Sequence, residues 1–271
     1  MPASKPATPV VVKLMGGLGN QMFQYAAGLA LARKNGVPLQ LDLTFLQDRT
    51  PRPHFTLRQY ALDIFPLHAG GARITDASAR PAGLKRVGEK HFHYDSATAG
   101  LPGGVYLDGY WQSPRYFEAV EAEIRQGFAL SPALDETAAV LAAKIKQAAA
   151  VCLHVRRGDM VNDAHTASVH GSCSLEYYRT ACDLLAKKFP AAHFFVFSDD
   201  PLWCEAQDLT GGRPCTIVSR PGATEAVDLF LMRQCRHFIT ANSSFSWWAA
   251  YLGEAPDKTV IVPDPWFTDP S

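Results

Sequence analysis

The sequence predicts an α/β protein built on doubly wound parallel sheets, and three observations carry that prediction. Between Val151 and Val262, five short apolar runs alternate with four helical patterns, the signature of strands joined by crossover helices. The chain opens with a strand, a Gly-rich loop, a helix and a second strand. Polar residues also gather at three strand ends in the second half: Arg156 and Arg157, Ser198 to Asp200, and Asn242 to Ser244. In a parallel sheet such ends share one edge, where ligands bind.

The elements follow in order. Val10–Leu14 reads as a β-branched strand, and Gly16–Gln21 (G-G-L-G-N-Q) as a loop. A helix is expected from Met22 to about Asn35, stopped by Gly36 and Pro38, with a second strand over Pro38–Leu43. Such a loop brings backbone N–H groups and a helix start to a phosphate. The dinucleotide pattern G-x-G-x-x-G is met at Gly17 and Gly19 but broken by Met22, and no G-K-[ST] follows. Residues 45–110 carry no regular pattern. His91 and His93 form an H-x-H pair without a third clustered ligand, which disfavours a metal. The aromatic run Leu107–Phe117 is either an acceptor platform or packed core. Helices are expected over 113–128 and 132–147, the second with Asp135 and Glu136 early and Lys144 and Lys146 late, as the helix dipole favours.

The second half is more regular. Val151–Asp159 (V-C-L-H-V-R-R-G-D) is a buried strand that ends on two guanidinium groups. Helices are expected over Leu175–Lys188, from Pro201, over Thr224–Cys235 and over Asn242–Gly253. Strands lie at His193–Phe197, Thr216–Ser219, His237–Thr240 and Thr259–Val262. The resulting division is a flexible tail (1–9), an N-terminal lobe (10–148) bearing the Gly-rich loop, and a C-terminal lobe (149–271).

Composition bounds the function. The 271 residues hold 26 Lys plus Arg against 26 Asp plus Glu, a net charge of zero that argues against nucleic acid as a partner. Six cysteines without C-x-x-C spacing read as reduced, mostly buried thiols of a cytoplasmic protein. No leader-like apolar run opens the sequence, and none is long enough to span a bilayer.

Arginine is rarely buried unpaired, so Arg156 and Arg157 at a strand end suit a phosphate or diphosphate gripped by parallel hydrogen bonds. The alternative is a structural bridge to Asp159 or another acid. Ser243 and Ser244 at a helix start supply hydroxyls and N–H groups for the same anion, or merely cap the helix. Asp199 or Asp200 can accept from a ribose or a purine N–H edge, while Asp200 alone also fits a helix cap.

The motifs G-G-L-G-N-Q-M-F-Q-Y-A, G-Y-W-Q-S, H-V-R-R-G-D, H-G-S-C-S-L-E-Y-Y, F-S-D-D and N-S-S-F-S-W-W resemble those of bacterial α-1,2-fucosyltransferases, glycosyltransferase family 11. The resemblance spans residues 11 to about 263. It implies a GT-B-like pair of Rossmann-like lobes, with the N-terminal lobe on the acceptor side. It also implies inverting transfer of fucose from GDP-fucose to the 2-hydroxyl of a galactose unit, with no obligatory metal or other cofactor. By the same resemblance Arg156, seconded by Arg157, would hold the β-phosphate. Gly17, Gly19, Asn20 and Ser243, Ser244 and Phe245 would add contacts to the diphosphate. His154 with Asp199 or Asp200 would bind the guanine nucleoside. Met160 stands where many members carry Tyr. The acceptor proton would pass to Asp159, to His170, or to the leaving diphosphate. The expected setting is O-antigen or other surface-polysaccharide synthesis, in the cytoplasm, compatible with peripheral contact at the inner membrane through a lipid-linked acceptor. Two other classes compete: a dinucleotide-dependent oxidoreductase with Asp42 as its ribose acid, and a non-catalytic GDP-sugar-binding protein.

Overall fold

A computed structural model of the chain describes residues 7–52, 56–67, 71–158 and 171–266. Of the sequence-derived candidates, Asp159, Met160 and His170 lie outside the described residues, as do residues 1–6 of the expected tail. The chain forms two compact units, Met1–Leu130 and Ser131–Pro270. The division falls ahead of the expected 148/149 because the Ala-rich helix belongs with the second unit. That helix is α5 (Glu136–Gln147), capped by Asp135, which accepts from the Ala138 N–H at 2.8 Å. Asp135 also takes Arg220 Nη2 at 2.6 Å, and Lys144 Nζ reaches Thr216 Oγ1 at 2.8 Å.

In the first unit a five-stranded parallel sheet has the order β3-β2-β1-β5-β4. The strands are β1 (Val10–Lys13), β2 (Leu39–Asp42), β3 (Ala72–Ile74), β4 (Lys85–Gly88) and β5 (Val105–Asp108). The first three residues of β1 are fully buried valines, as its central place demands. Three of these strands fall inside 45–110, where the sequence shows no pattern. They are only three or four residues long, and β3 and β4 expose most of their side chains at the sheet's edges. β3 and β4 therefore lack the apolar alternation that marks a strand, while β5 alternates over only four residues. Short helices α2 (Thr44–Gln47) and α3 (Ser96–Ala99) lie between them.

The first long helix, α1 (Leu18–Asn35), starts four residues before the expected Met22. The glycines misled the reading: Gly17 is the N-cap and Gly19 already sits in the first turn. Gly36 ends it in the left-handed region at φ 62°, donating to Arg33 O at 3.2 Å. Mid-helix, Gly28 lets α1 lie close on the sheet, since a Cβ there would overlap Val12 Cγ2 and sit 2.9 Å from Leu39 Cδ1. The helix expected over 113–128 is instead two 3₁₀ turns followed by α4 (Glu121–Gly127).

The second unit holds a parallel sheet of order β10-β9-β6-β7-β8. Its strands are β6 (Ala149–Val155), β7 (Ala192–Ser198), β8 (Cys215–Ile217), β9 (His237–Ile239) and β10 (Val260–Ile261). Among the described helices are α6 (Leu175–Lys188), α7 (Pro201–Ala206), α8 (Glu225–Met232) and α9 (Ser244–Leu252). Each lies close to its expected place. The chain winds from β6 outward to β8, then crosses back to β9 on the other side. The ends of β6 and β9 therefore flank the topological switch point. On one face Val151, Leu153 and Val155 pack with Phe194, Val196, Tyr178, Cys182 and Leu185. Cys152 and His154 point to the other face by strand alternation. All six cysteines are free; Cys152, Cys182, Cys204 and Cys235 are buried, and Cys215 is exposed.

Gly28→Ala provides a check on the close helix–sheet contact. Alanine gains about 1 kcal/mol of helix propensity, but overpacking costs about 1–3 kcal/mol. A net loss of up to about 2 kcal/mol in urea unfolding is expected, and a stabilised variant would refute the contact.

Candidate active site

The site is built where β6 and β7 end side by side. Their register pairs Val155 with Ser198, so the R-R-G and D-D segments emerge next to one another. Arg156 Nη1 lies 2.9 Å from Asp199 Oδ2, and the Arg157 N–H donates to Asp199 Oδ1 at 2.9 Å. One carboxylate thus holds both arginine positions. The Arg157 side chain turns away, with Nε 3.2 Å from Asp200 Oδ2 and its guanidinium 3.9 Å over the Trp203 ring. A Cβ on Gly158 would stand 2.5 Å from Asp199 Oδ2, so a side chain there would displace the Asp199 carboxylate. Asp200 also caps α7, accepting from the Trp203 N–H at 3.2 Å. Among the described residues, the arginines pair with Asp199 and Asp200, acids of the neighbouring strand end. The Arg156 side chain keeps 24% of its surface exposed.

His154 is 5% exposed, with its ring 6.0 Å from that of Phe245 in α9. Burial, then the charge on Arg156, drives its pKa down to about 3, so the imidazole is neutral near pH 7. Its Nδ1 is buried with no hydrogen-bond partner among the described residues. Ser243 occupies the N-cap of α9 yet makes no side-chain cap bond, which leaves plain capping unsupported there. Ser244 and Phe245 form the first turn. Asn242, just before, is buried and ties down the H-G-S-C stretch: its Nδ2 donates to Gly171 O at 3.2 Å, and its Oδ1 lies 3.7 Å from Cys173 Sγ.

Asp228 at the start of α8 was not among the residues singled out from the sequence. Ser198 N–H donates to Ser219 Oγ at 3.0 Å, and Ser219 Oγ donates to Asp228 Oδ2 at 2.8 Å. The other oxygen, Oδ1, is buried without a partner among the described residues. Burial raises its pKa against the opposing pull of Ser219 and Arg220. In sequence it reads as an ordinary acid in a helix's first turn; only its burial marks it out.

Gly17, Gly19 and Asn20 lie in the first unit. Gly16 has φ +76°, and a Cβ there would collide with Asn20 Nδ2. Asn20 Oδ1 accepts from Gln112 Nε2 at 2.9 Å, joining the G-G-L-G-N-Q and G-Y-W-Q-S motifs. Gln21 and Gln24 are fully buried and brace the loop: Gln21 Nε2 donates to Gly16 O at 2.9 Å, and Met15 N–H donates to Gln24 Oε1 at 3.0 Å. The proposed aromatic platform is packed instead, since Trp111, Tyr116 and Phe117 are buried. Trp111 holds φ 56°, with Glu89 accepting from the Tyr110 and Trp111 N–H groups at 2.7 and 2.9 Å. Asp42 is fully buried and bonded to Thr44, Arg80 and Tyr106, which removes it as a ribose-binding acid.

A family model described as glycosyl transferase family 11 matches residues 91–270, which include the whole of the paired strand ends. The chain belongs to glycosyl transferase family 11. It is a glycosyltransferase. It is 33% identical to the alpha-1,2-colitosyltransferase of Escherichia coli, over 95% of this chain and 92% of that protein. It is 27% identical to galactoside alpha-(1,2)-fucosyltransferase 2 of Sus scrofa, over 89% of this chain and 68% of that one. Among solved structures, fucosyltransferase NodZ from Bradyrhizobium aligns with TM-score 0.51 and 16% identity, covering 92% of this chain and 94% of that chain. That likeness concerns the fold, and it agrees with two Rossmann-like units of the GT-B kind. Among the described residues no helix is long and apolar enough to cross a membrane, and no three His, Cys, Asp or Glu side chains cluster as metal ligands.

The neutral state of His154 has a measurable signature. An unfolded histidine titrates near 6.5, so between about 6.5 and 3 the unfolded chain binds a proton that the folded chain refuses. Stability from this group is complete above 6.5 and lost as pH falls towards 3, at about 1.4 kcal/mol per unit. Urea unfolding across that range should show a shallower acid loss for His154→Gln than for the wild type. Equal slopes would mean that the imidazole is solvated.

Proposed function

We propose that the protein transfers L-fucose from GDP-fucose to the 2-hydroxyl of a galactose unit, with inversion, in the synthesis of a surface polysaccharide such as O-antigen. The observation that supports this most is the Arg156–Asp199 pair at the switch point, on the strand end adjoining the start of α9. Arg156 offers a planar fork for the β-phosphate, and the Ser243–Phe245 turn offers N–H groups to the same anion. Arg157, held by Asp200 and Trp203, acts as a brace. His154 and Asp228, each with a buried polar atom that finds no partner among the described residues, suit the polar edge of the guanine base. Asp228 is this reading's addition to the residues expected from sequence, and Asp199 becomes a positioning residue rather than a nucleoside contact.

In the transfer, the bond between fucose C1 and the β-phosphate oxygen breaks with its electron pair staying on the diphosphate. The acceptor oxygen forms its bond to C1 from the opposite side. The hydroxyl proton goes to Asp159, to His170 or to the departing diphosphate. Negative charge grows on the diphosphate, and preorganised donors aimed at such charge supply a large catalytic term. The names of the Sus scrofa and Escherichia coli relatives support the 1,2 linkage. A second reading, GDP-colitose as donor, is favoured by the colitosyltransferase relative. Colitose is fucose without its 3-hydroxyl, so the diphosphate and base contacts would be shared.

Turnover of GDP-fucose and GDP-colitose with a galactoside acceptor, side by side, tests both readings. GDP binding without turnover of either sugar would leave a non-catalytic binding protein. Arg156→Lys keeps the charge but loses the fork, and should cost roughly 2–4 kcal/mol, a factor of about 30 to 1,000 in rate, with the protein folded. Near wild-type turnover would remove Arg156 from the site. Because arginine and helix N–H groups can supply the charge that a metal would, activity should survive exhaustive EDTA. Loss restored by Mn²⁺ or Mg²⁺ would defeat the metal-independent reading.

A further inference from the structure

The first unit has a cavity of about 510 Å³ whose described lining holds none of the residues placed at the donor site. It lies on the sheet face opposite α1: Gly28 packs on Val12, whereas Lys13 and Tyr106 line the cavity from the other side. Its volume falls within the roughly 300–1,000 Å³ of small-molecule sites. Of the charged side chains on its wall among the described residues, four are cations (Lys13, Arg52, Arg80 and Arg86) and one is an acid, Asp48. Counting Asp42 and Asp108 behind the wall, four cations meet three acids, which leaves a net positive charge that favours anions.

Two acids lie behind the wall and fix these cations. Asp42 is fully buried and accepts from Thr44 N at 2.9 Å, Thr44 Oγ1 at 2.7 Å, Arg80 Nε at 2.6 Å and Tyr106 Oη at 2.8 Å. Burial works to raise its pKa, but these bonds hold it below the usual carboxylate range. It therefore stays charged and anchors Arg80. Asp108 accepts from Lys13 Nζ at 2.9 Å and from Arg86 Nε at 3.1 Å. The aromatic rings add a second layer. Lys13 Nζ stands 4.6 Å and the Arg52 guanidinium 4.4 Å from the Phe45 centroid, and Arg80 stands 5.5 Å from that of Tyr106.

The two outer cations can be exchanged. The Arg86 side chain is 73% exposed and shares Asp108 with Lys13, so swinging it onto a ligand leaves Asp108 still neutralised. Arg52 pairs with Asp48 at the cavity wall, where both side chains are partly exposed. An ion network serving only to close this face of the sheet would fill the space. Here the space is open and ringed by guanidinium groups.

We propose that this cavity binds a sugar bearing an oxyanion, a carboxylate or a phosphate, with Arg52 and Arg86 as the groups that grip the charge. Guanidinium forks match either oxyanion bidentately. The space beyond the anion takes a ring, and Asp48 is placed to accept from its hydroxyls. A uronic acid within a glycan and a sugar phosphate at the head of a lipid-linked glycan are the two sources of that chemistry. The site lies within the first unit, so it stands or falls separately from the donor reading.

The experiment is calorimetric titration of the full chain with galacturonate, galactose 1-phosphate, galactose and inorganic phosphate, alone and with saturating GDP. At least one acidic sugar should bind tenfold or more tighter than galactose, weaken with added salt and be unaffected by GDP. The preferred one identifies the source. Arg52→Gln with Arg86→Gln should weaken that binding by roughly tenfold or more, as expected for lost charge-assisted bonds, with GDP affinity and melting temperature unchanged. Should the double variant not fold, Arg86→Gln alone, at an exposed position, is expected to weaken binding severalfold. The proposal is overturned if galactose binds as well as the acids, if inorganic phosphate binds as tightly as both acidic sugars, if GDP displaces the sugar, or if the variants bind like the wild type. GDP affinity, read in the same titrations, reports on the donor site by itself.

Discussion

The pairing of the β6 and β7 strand ends in the second unit depends on one carboxylate. Asp199 receives the Arg156 guanidinium on one oxygen and the Arg157 backbone N–H on the other. It reaches both because β6 and β7 are in parallel register through Val155 and Ser198, and because Gly158 leaves room for it. An arginine at a strand end has many rotamers, and ordering it costs entropy. The Asp199 contact meets that cost before any ligand arrives. Arg157 is held by a different pair, Asp200 and Trp203, so the two adjacent arginines are fixed in different directions. The two are neighbours in sequence, yet their guanidinium groups meet different carboxylates.

The second unit was legible in the sequence because its central strands β6, β7 and β9 are almost wholly buried and its helices are punctuated. Ser174 caps α6, Asp200 with Pro201 opens α7, and Thr224 caps α8, each visible as a residue type in the expected place. The edge strands of the first unit escaped because Lys85, Arg86, Ala72 and Arg73 are exposed, so no hydrophobic period exists to be read. The start of α1 was misplaced because glycine's low helix propensity says loop, whereas Gly17 caps the helix and Gly19 is buried in its first turn. Asp228 was missed for a related reason. Its place in the chain is ordinary, and only tertiary burial makes its unpartnered oxygen informative.

The buried polar residues of the first unit show the converse. Asp42 looks in sequence like a ligand contact near a Gly-rich loop, yet it, Gln21 and Gln24 are all consumed by the fold. Gln21 donates to Gly16 O and Gln59 O and accepts from the Ala61 N–H, so one amide closes two loops. A buried amide left half-satisfied costs more than its bonds return. Such residues are therefore as constrained as reacting ones, and chemistry-bearing residue types alone do not separate the two.

The strand orders also govern when each sheet can be completed during synthesis. In the first unit β1 waits for β5, some ninety residues downstream, before its second edge is covered. In the second, β6 pairs early with β7 but remains half-open until β9 is made. Parallel pairings across such separations form slowly. Because the units are consecutive in the chain, the first has all its strands by Asp108, before Arg156 leaves the ribosome. The late-closing flank of β6, with Leu153 facing Ile239, is then the apolar edge most exposed to misassembly in a nascent chain, and the natural place for a chaperone to act.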